Sequence, residues 1–120
     1  MKKYCFGIDI GGTFIKGAIV TDGGKIIAKD KIPTECSLGG DRVIENIKTL
    51  CDRLLSSAGL EKSDITAIGM GVPGMIDGKS GVVITSNNLG FKNFEIAKKT
   101  EQILGLPVKI SNDEIGRAHV

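Results

Sequence analysis

The chain has 120 residues, enough for one domain with its own core and too few for two ordinary domains. Hydrophobic residues make up 41% and charged residues 25%, as in typical globular proteins. The net charge of +2, the absence of a basic cluster and the absence of a membrane-length apolar run argue against nucleic-acid and membrane partners.

The amino-terminal segment predicts a β-hairpin with a glycine-rich turn. The apolar run Tyr4–Ile10 alternates as a buried strand and carries one carboxylate, Asp9. The turn Gly11–Thr13 interrupts it, and the apolar run Ile15–Val20 comes directly after, as in an antiparallel hairpin. Glycines let main-chain N–H groups approach an anion, and an adjacent acid suits hydrated Mg²⁺. The segment alone supports a nucleotide-phosphate turn and an ordinary hairpin capped by Asp9 equally.

Other glycine-rich phosphate motifs are excluded by the residues on their carboxyl-terminal side. No Gly-Lys-Ser/Thr leads into a helix after Gly12, so the turn is not a Walker loop. The spacing G-x-G-x-x-G occurs at Gly69–Gly74, but it leads into the turn-rich stretch Met75–Gly81 instead of a helix. We therefore predict no dinucleotide site there.

The rest of the chain alternates strands and helices. A third strand and a long amphipathic helix ended by Gly59 are predicted at Lys25–Ile32 and Asp41–Ser57. The later predicted elements are a strand at Ile65–Gly69, an accessory strand at Val82–Thr85 paired across the turn 77–79, a helix at Asn93–Leu104 with Asn93 as N-cap, a strand at Pro107–Ser111 and a helix from Asp113. The order predicts an α/β fold, a mixed five-stranded sheet with helices on both faces. The last helix stops after about two turns, which indicates one lobe of a larger protein.

The cysteines and the amino terminus indicate a cytoplasmic protein. Cys5, Cys36 and Cys51 are odd in number and lack C-x-x-C spacing, so we expect free thiols and no metal bound by cysteine. Lys2-Lys3 leads into a strand carrying an aspartate, so we expect no export signal.

Four motifs, taken in order, resemble the amino-terminal half of ROK-type sugar kinases, bacterial glucokinase-like members of the actin/hexokinase superfamily. They are Gly7–Thr13 with Ile15–Gly17, Gly71–Gly74, Asn88-Leu89 and Asn112-Asp113. The resemblance covers nearly the whole chain. It implies that residues 1–120 form a ribonuclease-H-like (actin-like ATPase) lobe, with sugar and ATP held between this lobe and a second one that the chain lacks.

The resemblance also implies roles for individual residues. Mg-ATP and phosphate binding falls to Asp9, which holds Mg²⁺ through water, and to Gly11, Gly12 and Thr13. The sugar site is lined by Pro73, Gly74, Asn88 and Asn112. Asp113 is the general base that takes the proton from a sugar hydroxyl, expected to be the 6-hydroxyl of a hexose or N-acetylhexosamine.

The same residues also have structural interpretations. Asp113 comes after a predicted strand, where open sheets place ligands, but the local sequence alone favours a plain helix N-cap. Asn88 suits sugar hydroxyls or plain turn chemistry, and Pro73-Gly74 suits a rigid turn. Their joint order favours the functional interpretation. Glu114 and the residues after it depart from the family pattern of a small residue, an asparagine and alanines, which leaves the details of the sugar site open.

The predicted function is that of an ATP-dependent, glucokinase-like sugar kinase. Its cofactors are ATP and Mg²⁺, its partners are a sugar and ATP, and the resemblance implies a homodimer in the full-length protein. The family's adenosine-binding segment, zinc-binding cysteines and a Glu/His pair belong to the second lobe, so the lobe alone is expected to be inactive. One alternative is a non-catalytic sugar-sensing regulator, which would carry a helix-turn-helix segment before the first strand. Another is an interaction domain without a ligand.

Overall fold

The first strands form the meander that the sequence predicts. In the computed structural model, which describes residues 3–111, the elements in chain order are β1 (Tyr4–Ile10), β2 (Phe14–Thr21), β3 (Ile26–Pro33), α1 (Gly40–Ala58), β4 (Ile65–Gly71), β5 (Met75–Asp77), β6 (Val82–Ser86), β7 (Phe91–Phe94), α2 (Ile96–Leu104) and β8 (Val108–Ser111). Short 3₁₀ turns precede α1 and β4, at Cys36–Leu38 and Lys62–Asp64.

The predicted five-stranded mixed sheet is confirmed, with the strand order β3-β2-β1-β4-β8. β1 pairs antiparallel with β2, and β2 pairs antiparallel with β3, whereas β4 runs parallel to both β1 and β8. This is the actin-like ATPase arrangement. No helix among residues 3–111 is long and apolar enough to cross a membrane.

The sequence predicts helices on both faces of this sheet, whereas the two helices of the described residues contact each other and pack on one face. Alternate side chains of β1 are buried beneath them, and α1 contributes the apolar stripe that the sequence predicts. The contact between α1 and β2 is close at Gly17, where a β-carbon would lie 2.9 Å from Leu50 Cδ2 and 3.1 Å from Leu54 Cδ1. The opposite face carries small residues such as Gly7 and Ala18. The helix predicted from Asp113 lies outside the described residues.

The second sheet agrees only in part with the sequence prediction. The accessory strand is present as β6, and it pairs with β5 across the turn after Asp77 as expected. It also pairs on its other side with β7, a strand that the sequence does not predict. The prediction that a helix begins at Asn93 is wrong: α2 begins at Ile96, and Asn93 belongs to β7 with a φ of 49°. Strand pairing and ring packing, with the Phe91 and Phe94 centroids 4.5 Å apart, outweigh the capping preference of an asparagine.

The three cysteines differ in burial, because only Cys51 is fully buried. Cys51 is 0% exposed, and burial raises the pKa of its thiol from 9.0 to about 12. Because the folded pKa is the higher one, the stability that this neutral thiol contributes is complete below pH 9 and is lost as the pH rises toward 12.

We therefore expect iodoacetamide at pH 9 to label half-buried Cys5 and Cys36 in the folded chain and to leave Cys51 unlabelled. Peptide mass spectrometry would measure the three labelling rates, and the same reaction in concentrated urea is the control, in which all three cysteines react. Equal labelling of Cys51 and Cys36 in the folded chain would contradict the buried, protonated thiol.

Candidate functional site

The carboxyl ends of three parallel strands meet at one edge of the five-stranded sheet. Asp9 near the end of β1 is in register with Gly71 at the end of β4, and Gly71 is in register with Ser111 at the end of β8. The Val72 N–H donates to the Ser111 carbonyl at 2.9 Å. Open sheets bind ligands at this edge. Asn112 and Asp113, predicted to bind sugar and to act as base, come directly after Ser111 in the chain but lie outside the described residues.

The residues Gly11–Thr13, here called the glycine turn, join β1 to β2 at the same edge. The Gly11 N–H donates to the Phe14 carbonyl at 2.9 Å, and a β-carbon on Gly11 would lie 2.8 Å from that oxygen. Any larger residue at Gly11 would push the turn open. Gly12 and Thr13 are exposed, so a ligand can approach the main chain of the turn.

The residues Thr34–Cys36 after β3, here called the anchor segment, contact all three carbonyl groups of the glycine turn. The Thr34 hydroxyl donates to Gly11 O at 2.7 Å, and the Thr34 N–H donates to Thr13 O at 2.9 Å. The Cys36 thiol donates to Gly12 O at 3.4 Å. The sequence predicts only a polar loop at this position, because the contacts join residues more than twenty positions apart.

The structure brings Asn88 against the glycine turn. Asn88 lies in the turn between β6 and β7, and its carbonyl oxygen would be 3.5 Å from a β-carbon placed on Gly12. The Cys36 sulfur lies 3.9 Å from the same oxygen, so it bridges the two turns. A residue expected to bind phosphate and one expected to bind sugar are therefore neighbours.

Gly74 packs on the strand that leads to Asn88. Its φ is +110°, and a β-carbon there would overlap the Thr85 carbonyl oxygen and lie 2.9 Å from Ser86 Cα. Only glycine fits both the backbone conformation and the space. Half-buried Pro73 precedes it, so the loop after β4 runs directly beside β6.

Asp9 places a carboxylate at the carboxyl edge of the five-stranded sheet. It is half-buried and lies directly opposite Lys16 of β2 in the antiparallel register. Residues 3–111 contain no cluster of three or more His, Cys, Asp or Glu side chains arranged to hold a metal ion. Mg²⁺ bound with a nucleotide needs only one or two carboxylates, because phosphate oxygens and waters complete its octahedron. One carboxylate beside a turn with accessible main-chain N–H groups fits that requirement.

Nearly the whole chain matches a known protein family. A family model described as ROK family matches residues 5–118. A glucokinase from Halalkalibacterium halodurans is 38% identical over 111 residues, which are 92% of this chain and 34% of that protein. The chain thus spans about a third of the length of this relative.

Solved structures agree with the fold. A ROK family glucokinase from Streptomyces griseus, in complex with glucose and AMPPNP, superposes with a TM-score of 0.84 at 28% identity, over 96% of this chain and 35% of that one. A ROK family transcriptional regulator, a homologue of the E. coli MLC protein, superposes with a TM-score of 0.80 at 21% identity, over 97% of this chain and 29% of that one. The second likeness concerns the fold alone.

Proposed function

Because the chain belongs to the ROK family, we propose that it is the amino-terminal lobe of an ATP-dependent sugar kinase. One observation supports this most directly: the glycine turn and Asn88 lie side by side, with the Cys36 sulfur near a carbonyl oxygen of each. A kinase must bring a phosphate and a hydroxyl acceptor together, and a phosphate-binding turn beside a sugar-binding loop does so.

The proposed roles rest on the chemistry of each residue. The glycine turn binds the transferred phosphate through main-chain N–H groups, and Asp9 holds Mg²⁺ through water, which neutralises phosphate charge. Asn88, Asn112 and the Pro73-Gly74 loop contact the sugar. Asp113 accepts the proton of the attacking hydroxyl, expected to be the 6-hydroxyl of a hexose or N-acetylhexosamine. The full-length protein is proposed to be a cytoplasmic homodimer.

The test is an ATP-coupled assay of the chain extended through its natural downstream sequence. Glucose, fructose, mannose and the N-acetyl sugars are tried separately, with the 120-residue chain as the matched control. We expect turnover of at least one sugar by the extended protein and none by the shorter chain, because half of the ATP site is then missing. Absence of turnover with every sugar would contradict the proposal.

A sugar-sensing regulator is the second candidate, and a putative xylose repressor from Caldicellulosiruptor sp., 27% identical over 107 residues of this chain, supports it. It predicts that the extended protein binds a sugar in calorimetry without hydrolysing or transferring phosphate from ATP. It also predicts a helix-turn-helix segment upstream of β1. Turnover of ATP with any sugar would reject this second candidate.

A further inference from the structure

The anchor segment determines which way the peptide groups of the glycine turn point. All described peptide bonds are trans, and in a trans peptide the C=O and N–H groups point in opposite directions. The Gly11 carbonyl shares its peptide group with the Gly12 N–H, and the Gly12 carbonyl shares its peptide group with the Thr13 N–H. Since the anchor segment binds these carbonyls, both N–H groups point away from it, toward the exposed side of the turn.

The anchor segment is itself fixed from helix α1. Asn46 is only 9% exposed, and its Nδ2 contacts the carbonyls of Pro33 at 3.2 Å and Thr34 at 3.1 Å. The same nitrogen lies 2.9 Å from Glu35 Oε1. Glu35 has a φ of 59°, a left-handed conformation that is unfavourable for a residue with a side chain. Such backbone strain persists only where surrounding contacts hold it, and it occurs often at ligand sites.

We propose that Thr34 is a positioning residue for phosphate binding. Its hydroxyl holds the Gly11 carbonyl, so the Gly12 N–H is aimed at a phosphate before the nucleotide arrives, and its own N–H holds the Thr13 carbonyl at the end of the turn. Thr34 is 0% exposed, so its side chain is not accessible to a ligand. The inference rests on the proposed function and extends it, because it names a residue that prepares the donors.

The decisive variant is Thr34→Val in the extended protein. Valine keeps the shape and the N–H contact but removes the hydroxyl that binds Gly11 O. We expect KM for ATP to rise roughly tenfold, the equivalent of one hydrogen bond, with KM for the sugar unchanged. Thr34→Ser should restore KM for ATP, because serine supplies the same hydroxyl.

The matched control is Thr66→Val. Thr66 also donates its hydroxyl to a carbonyl, Tyr4 O at 3.2 Å, but at the other end of β1, roughly 20 Å from the glycine turn. Because its hydrogen bond is exposed to solvent, this variant should lose less thermal stability than Thr34→Val, and its KM for ATP should not change. If Thr34→Val lowers only the melting temperature and leaves both KM values unchanged, Thr34 has a structural role and the inference is wrong.

An independent measurement separates this inference from the proposed function. Titration with Mg-ATP, followed by amide NMR, should shift the Gly12 and Thr13 resonances of the wild-type protein, and Thr34→Val should weaken the Gly12 response. Both results in a protein without kinase activity would support the inference and reject the proposed function. Unmoved Gly12 and Thr13 resonances at saturating Mg-ATP, in a protein that transfers phosphate, would overturn the inference alone.

Discussion

Replacing Asp113 by asparagine in the extended protein should lower kcat about 100- to 10,000-fold, the range that general-base catalysis contributes. Asparagine has nearly the shape of aspartate but cannot accept the hydroxyl proton. Sugar binding should change little, because the amide oxygen still accepts a hydrogen bond. Steady-state kinetics give kcat, and calorimetry without nucleotide gives the dissociation constant for the sugar.

The neighbouring Glu114→Gln is the matched control for Asp113→Asn. It removes an equal charge one position along the chain, so it reports the electrostatic effect without removing the proposed base. We expect a change in kcat of less than about tenfold. Similar losses in both variants would assign the effect to local charge, and an unchanged kcat in Asp113→Asn would reject Asp113 as the base.

Replacing Gly74 by alanine should lower the free energy of unfolding by about 3 kcal/mol. Two costs add: the left-handed φ of +110°, which alanine avoids, and the overlap of the new β-carbon with the Thr85 main chain. Because the obstacle is backbone in a paired strand, it cannot move aside as a flexible side chain would. Urea denaturation of the 120-residue chain, monitored by circular dichroism, measures the loss.

Gly24→Ala separates the two costs. Gly24 has a φ of +86°, but a β-carbon there would meet nothing within 4 Å, so only the backbone cost remains. That variant should lose about 1 kcal/mol. A loss at Gly74 no larger than that at Gly24 would mean that the loop after β4 does not press against β6.

Most of the five-stranded sheet could be predicted because its signals are local. The alternation in β1, the glycine turn and the helical stripe of α1 each lie within a short window. β7 could not be found in this way, since Phe91–Phe94 is four residues long and owes its extended shape to pairing with β6. Because the capping preference of Asn93 is a local signal, it predicts the wrong first residue for α2.

The residues of the candidate site also divide into those for which the sequence predicts a role and those for which it does not. Pattern and resemblance are enough to predict roles for the glycine turn, the Pro73-Gly74 loop and Asn88, and these roles stay predictions. Thr34 and Asn46 carry no such signal, because an isolated threonine or asparagine has many ordinary roles. Their importance arises from contacts across the fold, such as the 23 positions between Thr34 and Gly11.

Gly17 allows α1 to pack closely on the sheet, and this packing connects it to the glycine turn. Without a side chain at Gly17, α1 settles onto β2 until Leu50 and Leu54 touch the strand. Asn46 lies one helical turn before Leu50 on the same helix. The distance between α1 and the sheet therefore also sets the distance from Asn46 Nδ2 to the carbonyls of the anchor segment. A larger residue at Gly17 would lift the helix and move the Asn46 amide away from the carbonyls that it binds, although no residue of the anchor segment or the glycine turn would be changed.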